Sequence, residues 1–213
     1  MRCRTRLLSV LLMAALLLSI AQPAVAQDAG AEAPAGHGIR FDAPLYAIDG
    51  PYAVGVQYFT IPAEKETDRD LTVSVWYPAQ QADGAATEMV YEQQFAPGEI
   101  PSFTVLGHAQ LDAPPDPSGA PYPLVVYSHA TWTFGQETPY FAEHLASRGF
   151  VVISADHEDN WSTAFDPPVW QARIHRPQEV TRQIDFAASL AAPDGDLPGM
   201  IDTTGVGVAG WSM

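Results

Sequence analysis

Gly205-Val206-Gly207-Val208-Ala209-Gly210-Trp211-Ser212-Met213 is the stretch on which the reading of this chain turns. Small residues alternating with valine from Gly205 to Ala209 predict a strand. That strand runs into Gly210-Trp211-Ser212-Met213, four positions of the five-residue pattern Gly-x-Ser-x-Gly. The pattern puts a serine on a tight, strained turn, with its hydroxyl exposed at the carboxyl end of a sheet. Glycine flanks it because a Cβ there collides with the neighbouring strand or helix. The same residues also fit Gly205-x-Gly207-x-x-Gly210, a dinucleotide-binding spelling. That spelling follows a strand and opens a helix, whereas Gly205 and Gly207 lie inside the strand alternation. Ser212 is therefore expected to be a nucleophile.

Upstream, the pattern alternates between β and α. Leu124-Val125-Val126-Tyr127 and Phe150-Val151-Val152-Ile153 are short apolar runs, typical of strands buried on both faces. Between them, Glu137 to Ser147 carries Tyr140, Phe141, His144 and Leu145 at helical spacing, and Gly149 stands as a stop. A second helix is predicted from Pro177 to Ala192. Pro177 suits a first turn, and Val180, Ile184, Ala188 and Leu190 share roughly one face. Strand, helix, strand, helix, strand predicts an α/β fold with a parallel sheet. Before it, Tyr52 to Ile61 and Leu71 to Tyr77 predict two antiparallel strands. Residues 78–122 are proline-punctuated and expected to be irregular, as a border to a cleft or as a decorative insertion.

The chain has 213 residues, 47 % of them hydrophobic, enough for one sizeable core. Arg2, Arg4 and Arg6, an apolar run from Leu7 to Ile20, and Ala24-Val25-Ala26 read as a signal peptide over residues 1–26, cut before Gln27. The apolar run is short for a membrane span. The protein is thus expected to be exported, periplasmic or extracellular, with no stable membrane anchor. Residues 27–49 read as a flexible leader and 50–213 as the N-terminal part of the catalytic domain. Removing 26 residues leaves 187, takes away three arginines and moves the formal charge from −15 to −18. It also removes Cys3, the single cysteine, and with it thiol chemistry and internal disulfides. Such acidity excludes a basic nucleic-acid binder and disfavours anionic substrates.

A serine nucleophile needs donors for the oxyanion it creates. Where a strand–serine turn is the centre of the site, one backbone N–H comes from the residue after the serine, here Met213. Another comes from the loop after the first buried strand, here Tyr127-Ser128-His129-Ala130-Thr131, with Thr131 as donor. Trp211, Trp132 and Phe134 are candidates for an apolar wall round the substrate, with plain packing as the alternative. Asp156-His157-Glu158-Asp159 clusters potential metal ligands, but neighbours on an extended loop diverge, so no metal site is expected. Asn160-Trp161-Ser162 matches a glycosylation sequon with little weight.

The segment from Pro123 to His157 resembles the platelet-activating-factor acetylhydrolase and dienelactone-hydrolase-like group of α/β hydrolases. So do Gly50 to Gly55 with Val75 to Ala79, Arg176-Pro177 with Asp185, and Asp202 to Met213. The resemblance implies an α/β-hydrolase fold, a mostly parallel sheet with antiparallel N-terminal strands. It also implies a serine esterase for short acyl esters, with Ser212 as nucleophile and no cofactor. The chain is also similar to secreted polyester hydrolases and cutinases, which share Gly-Trp-Ser-Met and Leu-Ala-Ser-x-Gly-Phe-Val-Val. Dienelactone hydrolases proper use a cysteine, so Ser212 departs from them. The group usually has His-Gly where this chain has His129-Ala130. Its acid and histidine follow the serine in sequence, so the chain is expected to be truncated at the nucleophile elbow and inactive by itself. A small-molecule or lipid-like ester is the implied partner. The alternative from another class is a non-catalytic exported binding protein on the same scaffold.

Overall fold

A computed structural model describes residues 44–65, 68–81, 88–93, 103–131, 133–157 and 169–212. The expectations for the signal peptide and most of the leader, for Trp132 and Met213, and for Glu158 to Ser162 lie outside the described residues. The described residues belong to one compact unit, Pro44–Met213.

Its centre is a six-stranded sheet ordered β5-β1-β2-β7-β6-β8. The strands are β1 (Ala53–Ile61), β2 (Leu71–Ala79), β5 (Gln110–Leu111), β6 (Tyr122–Ser128), β7 (Val151–Ala155) and β8 (Ile201–Gly210). β1 pairs with β2 and β2 with β7 antiparallel, while β5 is parallel to β1 and β6 is parallel to both β7 and β8. Only β2 therefore runs against the other five. Helix α1 (Pro139–Ser147) joins β6 to β7, and α2 (Val169–Leu190) lies between β7 and β8. The α/β class and the two successive β–α–β units follow the sequence pattern.

Two apolar layers cover the sheet. Leu71, Val73, Val75 and Tyr77 of β2 join Leu124, Val126, Val151 and Ile153 in one layer, with Ala187 and Leu190 of α2. Trp76, Val152 and Tyr127 point the other way, toward Ala142 and Ala146 of α1. The period of two in each strand thus serves two faces, and the central strands are apolar on both.

Three expectations need correction. The stretch 78–122 is less irregular than predicted. It contains a separate antiparallel pair, β3 (Met89–Gln93) and β4 (Phe103–Gly107), as well as β5. Helix α2 begins at Val169 rather than Pro177, so Pro177 sits inside it. Proline's fixed φ is compatible with a helix, and its missing N–H forgoes one bond, to the carbonyl four residues earlier. Its own carbonyl accepts the Thr181 hydroxyl at 3.0 Å. The buried faces of both helices also differ from the apolar stripes. On α1 the buried residues are Pro139, Ala142, Glu143, Ala146 and Ser147, while Tyr140 is exposed. On α2, Arg176, Glu179 and Gln183 are buried with Ala187 and Leu190, while Ala188 is exposed. Small side chains let a helix approach the sheet closely, and the buried polar groups are there because they have partners. Gly149 does end α1, with φ +88°, where a left-handed residue is needed.

Glu143 shows what such a partnership does. It accepts the Tyr91 hydroxyl at 2.7 Å, the backbone N–H of His108 at 2.9 Å and that of Ala109 at 3.1 Å, and faces His108 Nδ1 at 2.9 Å. Tyr91 in turn accepts Trp76 Nε1 at 3.0 Å. One carboxylate thereby fastens the β3–β4 pair and its exit to α1. Burial pushes its pKa up, but the hydrogen bonds from His108 and Tyr91 outweigh this and hold it below its usual 4.5. A lowered carboxyl pKa stabilises the fold above the unfolded value, and that contribution is lost as acid protonates the group. Glu143→Gln is expected to lower stability by about 1–3 kcal/mol at neutral pH, read from urea unfolding, with a smaller difference below pH ~4. An unchanged midpoint at neutral pH overturns this assignment.

Candidate active site

β6 and β8 lie side by side, with Ser128 opposite Gly210. Beyond this ladder Trp211 N–H donates to the Ser128 carbonyl at 3.3 Å. The chain then turns sharply, and Ser212 takes φ +53°. Among the described residues only Asp112 is another non-glycine with positive φ. A left-handed L-residue costs about 1–2 kcal/mol, so Ser212 sits on the strained turn that its motif calls for. A Cβ on Gly210 would stand 3.0 Å from the Ser128 carbonyl oxygen, tighter than side chains normally pack. Ser212 is exposed, and its hydroxyl has no hydrogen-bond partner among the described residues. It lines an open hollow of about 760 Å³ with Ser128, Arg173, Arg176, Pro177 and Val208.

A second hollow of about 640 Å³ holds Trp211 with Tyr127, Thr133, Tyr140 and Phe141. Trp211 is 65 % exposed and Tyr140 64 %, so this wall is aromatic and open to an incoming group. Phe134 is half-buried and is not among the residues lining this hollow.

The loop after β6 is pinned on several sides. Ala130 N–H donates to Glu137 Oε1 at 2.8 Å, and the Tyr127 hydroxyl donates to the same oxygen at 2.8 Å. The Ala130 carbonyl accepts Thr133 Oγ1 at 2.9 Å. Ala130 N–H is therefore taken. The next N–H along, that of Thr131, has no acceptor among the described residues.

Sequence reasoning missed the most densely bonded part of the site. His157 Nδ1 lies 2.5 Å from Glu179 Oε2, and His157 Nε2 lies 3.0 Å from the Ser128 hydroxyl. The backbone N–H of His157 donates to His129 Nε2 at 2.9 Å, which leaves the His129 proton on Nδ1, 2.8 Å from the Ala130 carbonyl. Arg176 Nη1 donates to the His129 carbonyl at 2.5 Å. The two imidazoles are fully buried, 4.9 Å between ring centres. The loops after β6 and β7 are thus joined to each other and to α2. The available signal was Arg176, Glu179 and Gln183 at helical spacing, a polar stripe facing inward. Asp156 turns away, accepting Gly135 N–H at 2.7 Å. Among the described residues no cluster of three or more His, Cys, Asp or Glu is placed to hold a metal ion.

Burial drives the His129 pKa well below 6.5, aided by the nearby His157 and Arg176. A histidine that resists protonation in the fold accepts a proton freely once unfolded. Its contribution to stability is complete above about pH 6.5 and declines as pH falls below that value. Unfolding free energy is expected to fall with a slope of up to about 1.4 kcal/mol per pH unit from this group. The slope should flatten in His129→Gln. Identical slopes in the two proteins sink this reading.

Parallel strands β7, β6 and β8, covered by helices, and a left-handed serine turn at a carboxyl end define an α/β fold of the hydrolase type. Within that class the chain belongs to the family described as platelet-activating factor acetylhydrolase, isoform II, whose pattern matches residues 40–184. The matched span ends before β8 and Ser212. No curated protein matches the chain. Among solved structures it is similar to a ferulic acid esterase from Streptomyces cinnamoneus, at 23 % identity and a TM-score of 0.47. That similarity covers 79 % of this chain and 54 % of the esterase, so the chain spans about half of that structure's length.

Proposed function

We propose that this chain carries the nucleophile and oxyanion loop of an exported serine hydrolase that cleaves carboxylic esters. The observation that carries this reading is Ser212 at φ +53°, on the turn directly after β8 and beside the loop of β6. Ser212 Oγ attacks the ester carbonyl, the alcohol leaves, and water hydrolyses the acyl-serine. The N–H groups of Thr131 and Met213 stabilise the oxyanion, each worth about 3–4 kcal/mol at the transition state. An acid and a histidine later in sequence than Ser212 complete the proton transfer. The route needs no metal or organic cofactor.

The substrate is a short acyl ester of the platelet-activating-factor type, neutral or zwitterionic to suit a mature charge of −18. Trp211, Tyr140 and Phe141 favour a second reading, an ester with an aromatic or polymeric acyl part. The test is turnover of p-nitrophenyl acetate, a short-acyl phospholipid and an aromatic polyester by the full protein. Preference for the phospholipid supports the first reading and preference for the polyester the second. No turnover of any of them favours the non-catalytic binding protein. Export predicts that protein recovered outside the cytoplasm begins at Gln27 by intact mass. A product that still carries residues 1–26 overturns that part.

A further inference from the structure

We propose that Ser128 is a second activated serine, with His157 as its base and Glu179 as the orienting acid, able to accept small acyl groups and related phosphorus electrophiles. The proposal does not rest on Ser212 being a nucleophile. It rests on three side chains from three elements that meet in one line. Ser128 Oγ lies 3.0 Å from His157 Nε2, and His157 Nδ1 lies 2.5 Å from Glu179 Oε2. Glu179 holds the proton of a neutral His157 on Nδ1, so Nε2 presents its lone pair to the serine hydroxyl. That is the order and spacing in which a histidine activates a serine.

Two further observations separate this from a purely structural hydrogen bond. Ser128 is only partly buried and opens into the 760 Å³ hollow, whereas His157 and Glu179 behind it are buried. Arg176 Nη1 also stands 3.5 Å from Ser128 Oγ, a fixed cation beside the oxygen that would carry charge. The nucleophile thus faces solvent, and its base and acid are shielded from it.

The step balances. Ser128 Oγ bonds to the carbonyl carbon of a small ester as its proton passes to His157 Nε2, and Glu179 faces the imidazolium that results. The bond from that carbon to the leaving alkoxide breaks, and the alkoxide takes the proton from Nε2. Acyl-Ser128 and a free alcohol remain, and water hydrolyses the acyl group by the same proton path.

The experiment uses a biotinylated fluorophosphonate on the full chain, with peptide mapping of the modified serine. In Ser212→Ala the label is expected on Ser128, and it should vanish in the Ser212→Ala, Ser128→Ala double variant. Glu179→Gln keeps the side chain's size and should slow Ser128 labelling by about 100-fold or more. Melting of each variant is followed alongside to show that it is folded. Absence of label in a folded Ser212→Ala chain overturns the proposal, as does Ser128 labelling at an unchanged rate in folded Glu179→Gln. Label on Ser128 but not on Ser212 in the parent protein upholds this inference and counts against the proposed function, so the two fail separately.

Discussion

Ser212→Ala is expected to reduce ester hydrolysis by the full protein by about 10⁴-fold or more, or roughly 5.4 kcal/mol of transition-state stabilisation. The loss should appear in kcat, because the hydroxyl forms its bond only as the reaction proceeds. Ser212→Gly sharpens the test. It removes the same hydroxyl, but glycine accepts φ +53° without the steric penalty that serine meets there. Activity should be lost equally while stability rises by about 1 kcal/mol relative to the parent. A gain in stability with loss of function is the mark of strain retained for chemistry. Any turnover surviving in Ser212→Ala is assigned to Ser128 only if adding Ser128→Ala removes it. Activity within tenfold of the parent in Ser212→Ala removes Ser212 from the mechanism.

The strands were legible because their signal is local. Leu71 to Tyr77, Leu124 to Tyr127 and Val151 to Ile153 are runs of β-branched and aromatic residues, and such runs form buried strands wherever the sheet is covered on both faces. The serine turn was legible for a similar reason: its steric demands are written into two residues separated by one position, Gly210 and Ser212 at φ +53°. The start of helix α2 is not legible, because Pro177 has the features of a first-turn residue although it lies inside the helix. Proline is tolerated deeper in a helix when surrounding contacts hold the helix on both sides of it, and no window of sequence reveals those contacts.

The network behind the loop was illegible for a different reason. Ser128, His157 and Glu179 are separated by 29 and 22 positions, and the chain between them encodes other elements. Apolar periodicity also ranked the faces of α2 wrongly. Val180 and Ile184 mark its flank, while Arg176, Glu179 and Gln183 are buried. Polar groups can occupy a buried face only where partners await them, and those partners are on the loops of β6 and β7. The fold and the serine turn are thus set by short-range pattern, whereas what holds the loop beside that turn is set by tertiary contact alone.

Arg176 is the residue on which that contact converges, and Arg176→Met is expected to destabilise the protein by about 3–5 kcal/mol. Its guanidinium donates to the carbonyls of His129 and Ala130 and approaches the Ser128 hydroxyl. Burial works against its charge, while Glu179 and Glu137 favour it. Methionine fills much of the aliphatic stem, so the loss reflects the charge and its fork of donors rather than a cavity. Without them the His129 carbonyl, which has no other donor among the described residues, is buried unpaired, and two carboxylates lose their counter-charge. Arg176→Lys keeps the charge but cannot reach two carbonyls with one planar group, so it should recover only part of the loss. Urea midpoints at constant slope measure both variants. The loop that Arg176 holds begins one residue after Ser128 and contains Thr131, so kcat for ester hydrolysis should fall in Arg176→Lys even where the protein remains folded. A Met variant within 1 kcal/mol of the parent would show that the loop is held by Glu137 and Thr133 instead, leaving Arg176 as a bystander to the site.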